Sequence, residues 1–383
     1  MRIKILNRTI YIRFGFLLAF ALVIAVVYLF YRIDNYPAEP ASNGIFPDLP
    51  EWTFWANENV TATPIVYGSY VFVRTSEAVY KLDGDTGILL WRFASPGTSS
   101  SMDVSPQISG NLLIIPERGG LLAAVSIDSG HLVWRLWSVD ENRRFSGTMR
   151  VEEFTIDGGI IYVARHSWRL TAYDLEGGTK LWEVRVPDRV SLNLATDHEA
   201  VYLGASQLII AYDLKFGQLL WEKDMGAYVR SILAQDGYLY VAFMSNDYNL
   251  AAINLETRQE EWKIRLTSIE GPDIRYLTAA DEVLYAVDEN LYAFNLATGG
   301  ILWQSSYTDF LERPVVAGDR IYVRNNETTL FVFDSTSGDE LGRLLVQHDA
   351  PLKRQPGRNP AIYGDLVIVP FGDERILAYL IDE

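Results

Sequence analysis

An eleven-residue segment recurs along the chain at a period near ~40 residues, and no other feature constrains the fold as tightly. It reads AYDLEGGTKLW at 172–182, AVSIDSGHLVW at 124–134, AYDLKFGQLLW at 211–221, AINLETRQEEW at 252–262 and AFNLATGGILW at 293–303. KLDGDTGILLW at 81–91 changes the first residue, and VFDSTSGDELG at 332–342 loses the last. The final positions lie 43, 48, 39, 41, 41 and 39 residues apart. Such a period, with several short strands per unit, predicts the blades of a propeller.

Each unit follows one order. An apolar strand such as TPIVYG or RPVVAG is followed by a second such as YVFVRT or RIYVRNN. A third carries the motif Ala and the Asp or Asn, and a fourth carries the Trp. Period-two alternation in the second strands suits sheets packed on both sides. Gly at the seventh motif position supplies a positive φ, and Asp or Asn before the turn hydrogen-bonds its backbone. Arg258 replaces that Gly in one copy, which predicts a different turn there. The small Ala leaves room for a neighbour to pack.

Seven units end at Trp91, Trp134, Trp182, Trp221, Trp262, Trp303 and Gly342. An eighth begins at PAIYGDLVIVPFGDERILAYLIDE and stops at Glu383 before any Trp strand. PEWTFW (50–55) opens the repeat region with an orphan strand, and Trp52 precedes Trp91 by 39 residues. The N-terminal strand is therefore expected to complete blade eight, closing the ring and removing open sheet edges. The predicted class is all-β: an eight-bladed propeller of four-stranded blades over 51–383.

The pattern A-x-D-x-x-T-G-x-x-x-W resembles the tryptophan-docking motif of the PQQ-repeat (quinoprotein-like) propeller family, with five Ala, four Asp and six Trp matches in seven copies. The resemblance spans the repeat region and implies eight blades. Members include pyrroloquinoline-quinone alcohol dehydrogenases and a BamB-like non-catalytic branch. For the dehydrogenases it implies a vicinal disulfide, a calcium ion and a catalytic aspartate. With no Cys in the chain, that disulfide is impossible, and no calcium ligand or catalytic base is placed by motif. Under this resemblance Trp52, Trp91, Trp134, Trp182, Trp221, Trp262 and Trp303 are structural wedges between blades, with the indole N–H satisfied by a backbone carbonyl. Trp137 and Trp168 fall outside the repeat and are the better ligand candidates.

Other chemistry finds little support. The absence of Cys excludes thiolate metal sites and cysteine nucleophiles. His131, His166, His198 and His348 show no metal-ligand spacing, and no nucleophile elbow, P-loop or EF-hand is present. The acid pair Asp288–Glu289 reads as a solvated loop. No catalytic, cofactor or metal residue is assigned.

The first 32 residues differ from the rest. Arg2, Lys4, Arg8 and Arg13 precede the uncharged 18-residue run FGFLLAFALVIAVVYLFY (14–31), and Arg32 closes it. Its length is near the lower limit for a spanning helix. It exceeds the ~7–15 apolar residues of a signal peptide, and no A-x-A cleavage site follows. The expectation is a transmembrane signal anchor at 14–31, with 1–13 cytoplasmic and everything beyond exported. DNYPAEPASNGIFPDLP then predicts a Pro-rich stalk across 32–50. Removing the anchor segment leaves 28 basic against 49 acidic residues, a net of −21. That balance argues against nucleic acid as a partner.

Antiparallel connectivity sorts the loops by face. Turns between third and fourth strands are acidic, with Asp83, Asp85, Asp128, Asp174, Glu176, Asp213, Glu256 and Asp339. The opposite face collects Arg74, Arg118, Arg165, Arg169, Arg324 and Arg375, with Trp168. Long inter-blade loops add Arg143, Arg144 and Arg150, then Lys353, Arg354 and Arg358. This basic face is the candidate partner surface, for a protein of the cell envelope or an anionic glycan. The expected function is a membrane-anchored, extracytoplasmic scaffold for protein–protein interaction or envelope assembly. The alternatives are an oxidoreductase using PQQ with calcium, and a carbohydrate-binding or sensor ectodomain.

Overall fold

The computed structural model describes residues 2–5, 8–11, 42–95, 104–117, 120–136, 151–165, 168–186, 193–245, 247–266, 273–307, 310, 312–325, 329–346, 359–371 and 374–381. The chain divides into two compact units, Met1–Glu39 and Pro40–Glu383. In the first, Arg2–Ile5 pairs antiparallel with Arg8–Tyr11. The expected anchor at 14–31 lies outside the described residues. Among the described residues no helix is long and apolar enough to cross a membrane.

The second unit is an eight-bladed propeller of antiparallel four-stranded sheets. Blade one runs Ile65–Tyr67, Tyr70–Arg74, Ala78–Asp83 and Leu89–Ala94. Blade two spans 107–135, blade three 151–185, blade four 193–224, blade five 228–264, blade six 276–304 and blade seven 315–345. Blade eight joins Ala361–Tyr363, Leu366–Phe371 and Arg375–Leu380 to Trp52–Trp55 from the other end of the propeller. The register of that closure sets Ala378 opposite Trp52.

The Ala-to-Trp spacing of the motif has a local cause. Ala124, Ala172, Ala211, Ala252 and Ala293 pair directly with Trp134, Trp182, Trp221, Trp262 and Trp303, and a bulge follows each Ala. Paired residues share a face, so a small partner leaves the indole free to reach the next blade. Trp52, Trp91, Trp134, Trp182, Trp262 and Trp303 donate their indole N–H to Gly84, Ile127, Leu175, Leu214, Leu296 and Ser335 carbonyls, at 2.8–3.2 Å. Each acceptor sits in the turn of the following blade. The ring also covers the turn glycine: a Cβ built on Gly217 would lie 2.6 Å from Trp182. Glycine is thus required there twice, for its φ of +65° and for the contact. Asp83, Asp174, Asp213 and Asp334 accept from backbone N–H groups of their own turns.

Arg258 does not use a different turn. Its N–H donates to the Asn254 carbonyl at 2.8 Å, as Gly217 N–H does to Asp213 at 3.0 Å, and it takes a φ of +60°. Arg258 is exposed there, in a backbone region L residues disfavour by about 1–2 kcal/mol. Lys81, at the Ala position, is buried. Its ammonium donates to the Ile127 carbonyl at 3.1 Å and lies 3.4 Å from the centre of the Tyr70 ring.

The stalk expected over 32–50 is docked where it is described. Ser42–Asn43 pairs with Arg343 and Leu344 as a fifth strand on blade seven. Gly44 packs on Leu341 and Gly342, and Phe46 is buried, edge-on to Tyr379 at 5.9 Å between ring centres. This occurs at the one motif copy without Trp. Blade eight is split between the two chain ends, so it has no third-to-fourth turn for a blade-seven indole to cover. Phe46 packs with Leu344, Val346, Val369 and Tyr379 at that seam instead.

Candidate functional site

The first strand of each blade is its innermost, and the register of each first hairpin fixes one equivalent position at the strand's start. In blades one to eight that position holds Thr63, Ser105, Glu153, Asn193, Ser231, Tyr276, Arg313 and Asn359. All eight are polar. Seven of them line a cavity of ≈ 630 Å³ on the propeller axis, joined by Gln107, Glu152 and Glu312.

Hydrogen bonds stitch this ring from blade to blade. Asn359 donates Nδ2 to the Arg313 carbonyl at 2.5 Å, and its N–H to Thr63 Oγ1 at 3.1 Å. Gln107 donates to the Phe154 carbonyl at 2.6 Å, and Asn193 to the Arg230 carbonyl at 2.5 Å. Glu153 accepts from the Leu194 N–H at 2.8 Å. Beside the ring, Arg230 binds both carboxylate oxygens of Asp273, at 2.6 and 2.7 Å. Arg230 and Arg275 hold the Asp273 carboxyl below its ordinary value against the opposing effect of burial.

Glu153 is the perturbed group of the site. Its surface forms cavity wall, yet protein encircles it. Burial pushes its carboxyl up to about 7, with the Arg313 charge and the Leu194 N–H opposing. Blades three and seven are opposite members of an eight-membered ring, so the two charges act across the axis.

The residues expected on a basic face differ in exposure where they are described. Arg74, Arg165, Arg324 and Arg375 are buried. Arg74 donates to the Pro116 carbonyl, and burial lowers its guanidinium to about 10, still protonated at neutral pH. Arg165 donates to the Gly120 carbonyl at 2.6 Å and to Tyr173 Oη at 2.9 Å. Arg375 lies over Phe371 and Trp55, 4.3 and 4.9 Å from their ring centres. At strand ends these long side chains fold back to tie neighbouring elements, so their charge is not displayed. Arg169 is exposed and paired with Glu183; Trp168 is 40% exposed, at a φ of +60°. Arg118, Arg143, Arg144, Arg150 and Arg354, like Trp137, lie outside the described residues.

The acid pair also departs from expectation. Asp288 is buried rather than solvated and accepts from the Asn290 N–H at 2.6 Å, ordering its turn. Among the described residues, no group of three or more His, Asp or Glu is placed to hold a metal.

The axial ring was missed in sequence, although a signal exists. Four blades begin with a polar residue followed by Pro: Thr63–Pro64, Ser105–Pro106, Arg313–Pro314 and Asn359–Pro360.

With this geometry in view, the comparisons are direct. A family model described as outer membrane protein assembly factor BamB matches residues 49–204, 135–268, 205–309 and 246–383. The chain belongs to that family. A BamB assembly factor of Yersinia pestis is 24% identical over 311 residues, covering 75% of each chain. The crystal structure of BamB from Moraxella catarrhalis superposes with a TM-score of 0.64 at 17% identity, over 89% of this chain and all of that one. A quinohemoprotein alcohol dehydrogenase from Pseudomonas putida HK5 shares the fold at a TM-score of 0.60 and 12% identity, over 87% of this chain and 76% of that one. Likeness at such identities carries architecture and not activity.

Proposed function

We propose that this chain is a non-catalytic envelope scaffold, tethered to a membrane through residues 14–31, whose exported propeller holds a partner in outer-membrane protein assembly. The observation that carries this reading is the family match, which runs through all eight blades. The anchor rests on the uncharged run and its basic flank, which keep 1–13 in the cytoplasm. Within the propeller, indoles such as Trp182, buried arginines such as Arg165 and turn aspartates such as Asp174 tie blades and turns together. Crosslinking in native membranes followed by pull-down of the full chain tests the proposal. A discrete crosslinked envelope protein supports it; recovery of the propeller alone sinks it.

The shared fold keeps a quinoprotein oxidoreductase as the second reading. Its cofactor is a tricarboxylate, and among the described residues the axial cavity is lined by one guanidinium, Arg313, against the carboxyls of Glu152, Glu153 and Glu312. That lining fits the quinone poorly. Adding PQQ with calcium and looking for bound-quinone absorbance and dye-linked oxidation separates the readings. For an anionic glycan, burial of four arginines removes part of the charge the sequence suggested. A glycan array with the purified chain tests that partner.

A further inference from the structure

We propose that residues 42–46 form a releasable clasp on the joint between blades seven and eight, and that the ring opens first where this clasp lets go. At other joints an indole crosses to a carbonyl of the next blade, as Trp182 does to Leu214 at 3.0 Å. Gly342 stands at that position in blade seven, so no blade-seven indole can cross. Blade eight, on the far side of the joint, is also the blade that unites strands from opposite ends of the propeller.

The clasp occupies the place of the missing ring. Gly44, at a φ of +82°, brings backbone against backbone: a Cβ there would lie 2.6 Å from the Leu341 carbonyl oxygen and 2.8 Å from Gly342 Cα. Glycine permits both that φ and that approach. Phe46, 5% exposed, then enters a core shared by Val332 and Leu344 of blade seven and Val369 and Tyr379 of blade eight. One aromatic side chain thus bridges two blades, and the ladder beside it is two residues long, Ser42–Asn43. An attachment with so few contacts opens locally at lower free energy than the four-stranded blades it joins.

Order along the chain gives the clasp its role. Ser42–Asn43 lies on the outer edge of blade seven, and Trp52–Trp55 lies on the outer edge of blade eight. Between them runs a connector in which Leu49 is 64% exposed. A pull, or a competing strand, arriving from the amino-terminal side therefore meets the clasp before it reaches the strand that closes the ring. While Phe46 is seated the closing strand is shielded. Once Phe46 leaves, Trp52–Trp55 is the next element to peel. The inference stands apart from the scaffold proposal, since amide exchange reads the joint and a pull-down reads a partner.

Hydrogen exchange of the full chain, with a reversible lock on the clasp, tests it. The chain has no cysteine, so Asn43→Cys with Arg343→Cys introduces a single pair. The two positions are direct partners in an antiparallel ladder, ~4.5–5.5 Å apart at Cα, within the ~4.4–6.8 Å that a disulfide spans. Arg343 also pairs with Glu340, and comparing two redox forms of one variant removes that loss from the result. Oxidation is expected to slow exchange about tenfold or more at Trp52–Trp55 and Arg375–Leu380, and to leave Leu219–Asp224 of blade four unchanged. Phe46→Ala, checked for folding by its thermal transition, should speed exchange at the same two strands and spare blade four. A pair that does not oxidise, equal exchange in the two redox forms, or a Phe46→Ala effect that is absent or spread evenly over the blades overturns the proposal.

Discussion

Glu153 and Arg313 oppose each other across the propeller axis, four blades apart in a ring of eight, and the Arg313 charge partly offsets the effect of burial on the Glu153 carboxyl. Arg313 does not cancel that effect, because the carboxyl still rests near 7.

The pH dependence of stability follows. In the unfolded chain Glu153 releases its proton near 4.5, while the folded chain keeps it to about 7. The folded state therefore binds more protons between those values, and stability falls as pH rises through that window. Above pH 7 the penalty is complete, on the order of 3 kcal/mol. Glu153→Gln should be more stable than the parent at pH 8 by ~1–3 kcal/mol, with the difference vanishing near pH 4. Urea unfolding at pH 4, 6 and 8 checks the trend, and a constant difference refutes it.

Turn glycines should divide by what covers them. Gly299, at φ +71°, would place a Cβ 2.7 Å from the Trp262 ring, whereas Gly68, at φ +58°, meets nothing within 4 Å. Gly68→Ala is expected to cost about 1–2 kcal/mol from backbone strain alone. Gly299→Ala should cost a further ~1–3 kcal/mol, because the ring must move. Equal midpoint shifts in chemical denaturation would contradict the close approach.

Trp182 separates burial from hydrogen bonding. Trp182→Phe removes the bond to the Leu214 carbonyl, which keeps the Tyr162 hydroxyl as a donor at 3.1 Å, so the expected loss is that of one hydrogen bond, about 0.5–1.5 kcal/mol. Trp182→Ala should cost about 3–5 kcal/mol. A phenylalanine variant as unstable as the alanine variant would place the energy in the polar contact instead.

Much of this architecture was legible because its signals are local and repeated. The Ala–Trp spacing follows from one cross-strand pair and one bulge, as in Ala172 and Trp182, and repetition averages away exceptions. The orphan Trp52 strand could be placed by period alone. The burial of four arginines was not legible, for a different reason. Loop topology assigns Arg74 and Arg165 to a face, but whether a long side chain reaches into solvent or back to a carbonyl depends on the neighbouring blade. The axial ring was hidden because its first strands are short and the residue varies from Thr63 to Glu153 to Arg313. Only position is shared there, and position emerges from hairpin register.

Arg258 offers a gain-of-stability test. Its φ of +60° suits glycine or asparagine better. Arg258→Gly is expected to stabilise the propeller by about 1 kcal/mol, read as a raised denaturation midpoint. A lowered midpoint would mean that the arginine side chain contributes more than its backbone costs.

The split blade sets an order in time. Trp52–Trp55 leaves the ribosome before all seven complete blades, and its pairing partner Arg375–Leu380 only after them. At ~5–20 residues per second, the early strand waits on the order of tens of seconds. Until then blade eight has only its outer strand and the ring is an open arc. Any chain truncated before Arg375 would lose closure of the whole circle, not merely one blade.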